Sequence, residues 1–527
     1  MTHHPGGRAL AVSALLFALL LSATAWAETL RVAVTSDVID WHPGRTRSAA
    51  DSVLLDNVYE RLLALDASGT PVPELASSWQ ALGPEVWEFR LRESVRFTNG
   101  EAFDATVAQR NLLTQRDDFR AASRTWLRSI TDVEVTDALT VRIHTAGHVP
   151  ELPVALAWSG RMAPLGHGFD ADGYAARLLL EPVGTGPYRL AAWERGRSLL
   201  LERSDDWWGE APDAHRVEVR VVPDASERAA ALLAGDVDMI DDPDPSDLER
   251  LAAAPGTRVE SVPGQRLVYL FLDSFRAHGG AAPEGSPGVT AGALNPLLDA
   301  RVRRALSLAI DRTALATRVH HGTVTPTDLP ALPVATAGAA PAGTVAHDPH
   351  QARALLTEAG FPEGFTLSIV VLEGQAPQAI ATLEAIAADW LAVGVVLAID
   401  APDPLDAARR YSQLDASAGM LSWGGLSARV TAWRGMFGSD PSAGTYGGQN
   451  VGRYAGPEIN ALLTVIASDL DAGRRDDASQ ALLAAFTRET PVVPLFVVDT
   501  VRALDERWTI VATGLELVPF RDLRLRR

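Results

Sequence analysis

Cysteine is absent from this 527-residue chain, which excludes disulfide scaffolds, cysteine nucleophiles, iron–sulfur clusters and cysteine-ligated zinc. Lysine is absent as well, so all 47 basic residues are arginine. A Walker-type phosphate loop, a pyridoxal Schiff base and Ser-x-x-Lys chemistry each require a lysine, and all three fall away. Neither a Gly-x-Ser-x-Gly elbow nor a His-Glu-x-x-His pair occurs. Positive charge is scarce: 66 acids set the net charge at −19. That balance argues against nucleic acid or an anionic membrane surface as the main partner. Beyond Leu21 there is also no apolar run long enough to span a bilayer.

The rest is ordinary globular material, 47% hydrophobic and 21% charged. At roughly 100–200 residues per domain, the length corresponds to about three domains. Residues 1–27 read as an export signal, with Arg8 before the apolar run Ala9–Leu21 and Ala25-Trp26-Ala27 as cleavage site. Thirteen apolar residues fall short of the ~20 a membrane helix needs. With no cysteine after the cleavage site, a lipoprotein anchor is excluded. A periplasmic protein starting near Glu28 is expected.

Period-2 alternation predicts strands at Thr29–Val34 and at 86–92, where Trp87, Phe89 and Leu91 face inward and Glu88, Arg90 and Arg92 outward. Residues 132–135 and 140–143 flank Thr136-Asp137-Ala138 as a hairpin, and further strands are expected at 199–202 and 217–222. Asp299 caps a helix with the stripe Val302, Ala305, Leu306, Ala309 and Ile310. Asp348-Pro349-His350-Gln351 is a capping-box start. A third helix spans about 379–393, followed by a strand at 395–399. The Ala/Gly/Pro-rich stretches 277–292 and 330–343 read as surface loops. Strands mixed with helices throughout indicate α/β lobes.

A series of blocks then carries a family resemblance. It begins with Val58-Tyr59-Glu60-Arg61-Leu62-Leu63, Pro73-Glu74-Leu75-Ala76-Ser77-Ser78-Trp79, Phe89-Arg90-Leu91-Arg92 and Val95-Arg96-Phe97-Thr98-Asn99-Gly100-Glu101. It continues with Gly184-Thr185-Gly186-Pro187-Tyr188, Trp207-Trp208-Gly209, Val302-Arg303-Arg304-Ala305-Leu306 with Ala309-Ile310-Asp311-Arg312, and the stretch 352–361. In this order, over about 29–518, the chain resembles the family 5 extracytoplasmic solute-binding proteins. These are the peptide-, nickel- and metal-chelate-binding receptors of ABC importers, and the nickel and metallophore branch looks nearest. The resemblance implies an α/β, two-lobe periplasmic-binding-protein clamp of the class II type with an extra domain inserted in lobe I. Lobe I would combine a sheet domain (28–58, 184–270 and 490–527) with the insert (59–183), and lobe II would span 271–489. Crossover strands near 267–272 and 494–498 would form the hinge. Closure around a ligand would present the protein to a membrane permease.

Candidate site residues follow from the same resemblance. The segment from Met420 to Trp433 corresponds to a cleft-lining stretch, so Trp423 and Trp433 are candidates for an aromatic wall, with a core role as the alternative. Peptide-binding members carry an aspartate about six residues after that tryptophan, where it pairs with the peptide ammonium; here Arg429 stands there, and no acid occurs between Met420 and Phe437. Arginine repels an ammonium and grips a carboxylate through its planar fork. In the nickel and metallophore branch, lobe I arginines hold a chelate's carboxylates against a tryptophan. Trp126, Arg161 and Arg124 are the nearest matches.

No cofactor is expected, and a metal only as part of a bound chelate. Twelve histidines occur, but His320-His321 and His347-x-x-His350 lack a metal-site arrangement, and none follows His350. The acids Asp236, Asp238, Asp241, Asp242, Asp244 and Asp247 miss the EF-hand spacing and read as a solvated loop. The favoured function is therefore a monomeric receptor, not an enzyme, for a small carboxylate-bearing solute, with an ABC permease and ATPase as partners and no nucleic acid. A dipeptide or oligopeptide receptor of the same family is the alternative. A secreted carboxylate-dyad hydrolase is a different class, but no spacing marks a dyad, and a sensor or chaperone on the same clamp is weaker still.

Overall fold

The computed structural model describes residues 28–526 apart from 46–48, 67, 119, 165–179, 278–293, 332–345, 373, 375, 414, 425–428, 441–444 and 512–517. The export-signal reading and nearly all of the two expected loops lie outside the described residues. Among the described residues, no helix is long and apolar enough to cross a membrane.

Alternating segments become strands because one face can be buried. Thr29–Val34 hides Leu30 and Val32, and Val86–Leu91 hides Phe89 and Leu91. Arg92, expected to face outward, instead lies with its guanidinium 4.2 Å from the Trp208 ring centroid. The expected hairpin forms from Ile130–Asp137 and Thr140–Thr145. Two helices begin at the expected caps: Asp299 accepts from the Arg301 amide ahead of Ala300–Ala309, and Asp348 from the Gln351 amide ahead of Pro349–Glu358.

The molecule is organised around an eleven-stranded mixed sheet. In spatial order it runs Val395–Asp400, Phe365–Val370, Ala418–Trp423, Thr257–Leu272, Val492–Asp505, Met239–Asp241, Thr29–Val34, Arg216–Val221, Ser198–Arg203 and Tyr188–Glu194, with Val324–Pro326 also pairing to Val492–Asp505. The two apolar hinge runs seen in the sequence are the ends of much longer strands, Thr257–Leu272 and Val492–Asp505, paired antiparallel. Met239–Asp241 joins this pair near Leu504. Ala418–Trp423 joins at the far end, opposite Leu267–Leu272. Between the two attachments the ladder is interrupted, between Val262 and Arg266, by a bulge holding Pro263, Gly264 and Gln265. Proline cannot donate to the ladder. A Cβ on Gly264 would sit 1.7 Å from the Val498 carbonyl oxygen, so only glycine allows this approach. A two-strand bridge broken by a bulge is the natural place for the sheet to bend.

On either side of the bridge the apolar cores separate. Lobe II has one core on each sheet face, around Leu306, Ile369 and Trp390 and around Tyr269, Trp433 and Phe486. Lobe I has a core around Leu30, Trp41, Tyr188 and Val219. A further core belongs to the four-stranded sheet Ala76–Gly83, Val86–Leu91, Thr140–Thr145 and Ile130–Asp137, which packs on the helix Ala105–Asp117. The Gly184-Thr185-Gly186 block joins insert and sheet domain. Cβ atoms on its glycines would lie 1.9 and 2.7 Å from the carbonyl oxygens of Val58 and Asn57.

Candidate functional site

The lobe I wall of the site is built on Asp56, just past the helix Ala49–Leu55. Arg161 donates Nε to its carboxylate at 2.6 Å, and Arg61 donates Nη2 to both oxygens at 2.7 and 3.0 Å. All three residues are buried. Burial works against the charged Asp56, yet the Arg161 and Arg61 guanidiniums outweigh it and hold the carboxyl below its usual range. Glu74 adds a second buried carboxylate beside the pair, accepting from the Arg61 amide at 2.8 Å and acting on the Arg161 guanidinium, and the buried Arg61 Nε finds no hydrogen-bond partner among the described residues.

Beside this cluster opens a cavity of about 300 Å3 whose charged lining is mixed, Asp56, Glu74, Glu210 and Asp522 against Arg61, Arg521 and Arg524, with Trp158, Trp207, Trp208 and the bridge residue Gln265 also on its walls. Trp158 ends the short helix Leu152–Trp158 and stacks on Trp126, with centroids 6.2 Å apart and planes 16° from parallel. Neither Trp126 nor Arg161 is among the lining residues; each stands behind one that is, Trp126 behind Trp158 and Arg161 behind Asp56. Arg124 is exposed at the start of the one-turn helix Arg124–Leu127, near Asp117.

Across the bridge, Trp423 closes the strand Ala418–Trp423 and is half-buried, its ring pressed against the position of Gly435. Arg429 is exposed at the start of the helix Arg429–Phe437. Trp433 lies inside the lobe II core, 1% exposed, its indole donating to the Pro330 carbonyl at 2.5 Å. A ring so enclosed is a packing residue in this conformation, because its surface is already covered by neighbours.

The histidines and acids weighed in the sequence find structural partners. His320 is buried 4.4 Å from the Phe496 ring, with Nε2 3.0 Å from the Thr382 hydroxyl, and burial lowers its pKa to about 4. Among the described residues, no group of three or more metal-ligating side chains comes together. The expectation of a solvated acidic loop needs correction. Asp238 is 1% exposed and pairs with Arg31 and Arg507, and Asp241 pairs with Arg502, because the segment closes onto the sheet.

Sequence reading missed Asp56, Arg61, Trp158 and Glu151. Arg61 stood inside a quoted block, where its type alone distinguished it from a surface arginine no better than Arg90. Glu151 opens the helix that carries Trp158, and its carboxylate reaches the first turn of Arg429–Phe437 in the other lobe.

Two α/β lobes joined by a two-strand bridge, with a charged and aromatic wall beside it, define a hinged binding clamp. The chain belongs to the bacterial extracellular solute-binding proteins, family 5, whose middle region matches residues 70–444. It is 27% identical over 315 residues to the nickel-binding periplasmic protein of Escherichia coli K12, covering 58% of this chain and 56% of that protein. It is 24% identical over 433 residues to heme-binding protein A of Haemophilus influenzae, covering 77% of this chain and 75% of that protein. Among solved structures, HbpA2 from Haemophilus parasuis superposes with a TM-score of 0.78 at 23% identity, covering 95% of this chain and all of that one. NikA from Brucella suis in complex with Fe(III)-EDTA gives 0.77 at 24% identity, covering 94% of this chain and all of that one. At these identities the structural likeness establishes the two-lobe fold.

Proposed function

We propose that this protein is a periplasmic receptor that captures a small, carboxylate-bearing solute, a nickel or other metal chelate first, and hands it to an ABC permease and ATPase without chemical turnover. The observation that carries the reading is the buried arginine pair beside the cavity, next to stacked tryptophans. Asp56 is flanked by Arg61 and Arg161, with Arg61 Nε unpartnered among the described residues. Lobe II adds Arg429 and no acid in its own cleft segment. A planar guanidinium matches a carboxylate in charge and shape, and the stacked Trp126–Trp158 pair offers a flat apolar surface to the rest of the ligand. With no histidine after His350, a metal would arrive with its own ligands. Relatives that include a nickel-binding and a dipeptide-binding protein bracket the same choice.

Calorimetry with nickel–L-histidine, Fe(III)–EDTA and unblocked dipeptides tests this. Tight binding of a carboxylate chelate is expected, weakened about tenfold by Arg429→Ala. Tight dipeptide binding indifferent to Arg429→Ala overturns it in favour of a peptide receptor. Turnover of a bound probe above a blank overturns the receptor reading itself.

A further inference from the structure

Glu151 is the first residue before the helix Leu152–Trp158, yet its carboxylate does not cap that helix. It crosses to lobe II. There Oε1 accepts from the Val430 amide at 2.8 Å, and Oε2 from the Thr431 amide at 3.3 Å and the Thr431 hydroxyl at 3.4 Å. The first amides of a helix lack partners within it and carry the positive end of its dipole. The first turn of Arg429–Phe437 holds no acid of its own. The contact joins residues 279 positions apart, so chain connectivity does not enforce it.

Its electrostatic setting is one-sided. Burial pushes the Glu151 carboxyl above the usual carboxylate range, opposed by the Val430 and Thr431 amides and by the Arg429 charge; Glu151 in turn acts on Arg434, on which Arg128 of lobe I acts with like charge. The charged groups that act on this contact among the described residues include Arg429 and Arg434 from lobe II and Arg128 from lobe I. Removal of Glu151 would leave the lobes meeting through like charges. Two helical turns away, the same helix ends at Trp158 on the cavity wall beside Asp56.

We propose that Glu151 is an inter-lobe latch: its carboxylate, held by the Val430 and Thr431 amides only when the clamp is shut, sets how much of the ligand-free protein is closed. Opening moves the carboxylate off the helix and returns both amides to water. Glu151 is a positioning residue in this scheme, acting on the clamp and not on the solute. The latch concerns the ligand-free protein, so it stands or falls separately from the carboxylate-chelate reading.

The test uses the mature protein without ligand, comparing small-angle scattering with hydrogen exchange of the peptide covering 429–437. Losing hydrogen bonds to a charged acceptor changes an equilibrium by roughly 10- to 100-fold. Glu151→Ala should therefore shift the ensemble toward open, with a larger radius of gyration and faster exchange at 430 and 431. Glu151→Gln, which keeps one acceptor oxygen, should fall between. Thr431→Pro deletes both Thr431 donors, amide and hydroxyl, from the lobe II side, in the first helical turn where proline is tolerated, and should act in the same direction. Circular dichroism and melting temperature identify any variant that has failed to fold, and the other two variants then decide. An unchanged radius and unchanged exchange in folded Glu151→Ala overturn the latch. So does tighter binding of nickel–L-histidine by Glu151→Ala, which would mean that Glu151 occupies a place meant for the ligand's carboxylate.

Discussion

Two buried charge clusters sit side by side in lobe I, and they are built to opposite formulas. Asp56 faces two arginines, Arg61 and Arg161. Glu60 and Glu74 face one, Arg521, at 3.5 and 2.9 Å. Glu60 also accepts from the indole nitrogens of Trp207 and Trp208, and Glu74 from the Arg61 amide. The acid-rich cluster ties the insert, the sheet domain and the C-terminal segment together. Burial, with the Glu74 charge beside it, pushes the Glu60 carboxyl up to about 7, so this pair tends to keep a proton. The base-rich cluster cannot adjust in that way, because arginine does not give up its proton. Glu74 couples the two clusters, since it acts on Arg161 as well as pairing with Arg521.

The comparison breaks most sharply at Arg521. Arg521→Ala leaves two buried carboxylates without their cation, and a loss of about 3–5 kcal/mol of stability is expected in urea unfolding. A loss under 1 kcal/mol would mean that the acid-rich cluster is not a structural joint. Arg161→Ala acts on the other formula. Asp56 keeps Arg61, so folding survives, whereas affinity for a carboxylate chelate should fall by about 2–5 kcal/mol in calorimetry. Arg90→Ala, exposed on the insert's strand, is the control and should leave affinity unchanged. Equal effects at Arg161 and Arg90 would sink a ligand role for Arg161.

The smallest effect is in pH. The folded pKa of Glu60 lies above its unfolded value of about 4.5, so the stabilising proton is fully held below pH 4.5 and lost as pH rises through about 7. Wild type should therefore lose up to about 3 kcal/mol relative to Glu60→Gln between pH 4.5 and 7, then run parallel to it. Curves parallel throughout would show that Glu60 holds no extra proton.

How far such a contrast can be read from sequence depends on the range of the interaction. Local patterns were legible. Alternation marked Thr29–Val34, and Asp299 and Asp348 marked the starts of their helices. The bridging strands were half visible. Residues 267–272 are apolar because lobe II covers both faces there, whereas 257–261 are partly exposed and read as nothing in particular. Pro263-Gly264 forms a bulge inside the strand, which depends on the partner strand and not on local pattern. Trp433 and Trp423 could not be sorted by type, since a tryptophan suits a core and a cleft equally.

By itself the sequence determined the α/β class, the exclusion of lysine and cysteine chemistry, the family, and arginine as the sole permanent cation for any anionic ligand. These depend on composition and on motifs a few residues long. Tertiary structure alone decided which arginines matter. Arg161 meets Asp56 across 105 positions and Glu151 meets Val430 across 279. Such pairs form only after several cores have assembled and excluded water, when the cost of an unpaired buried charge selects one partner out of 66 acids and 47 bases.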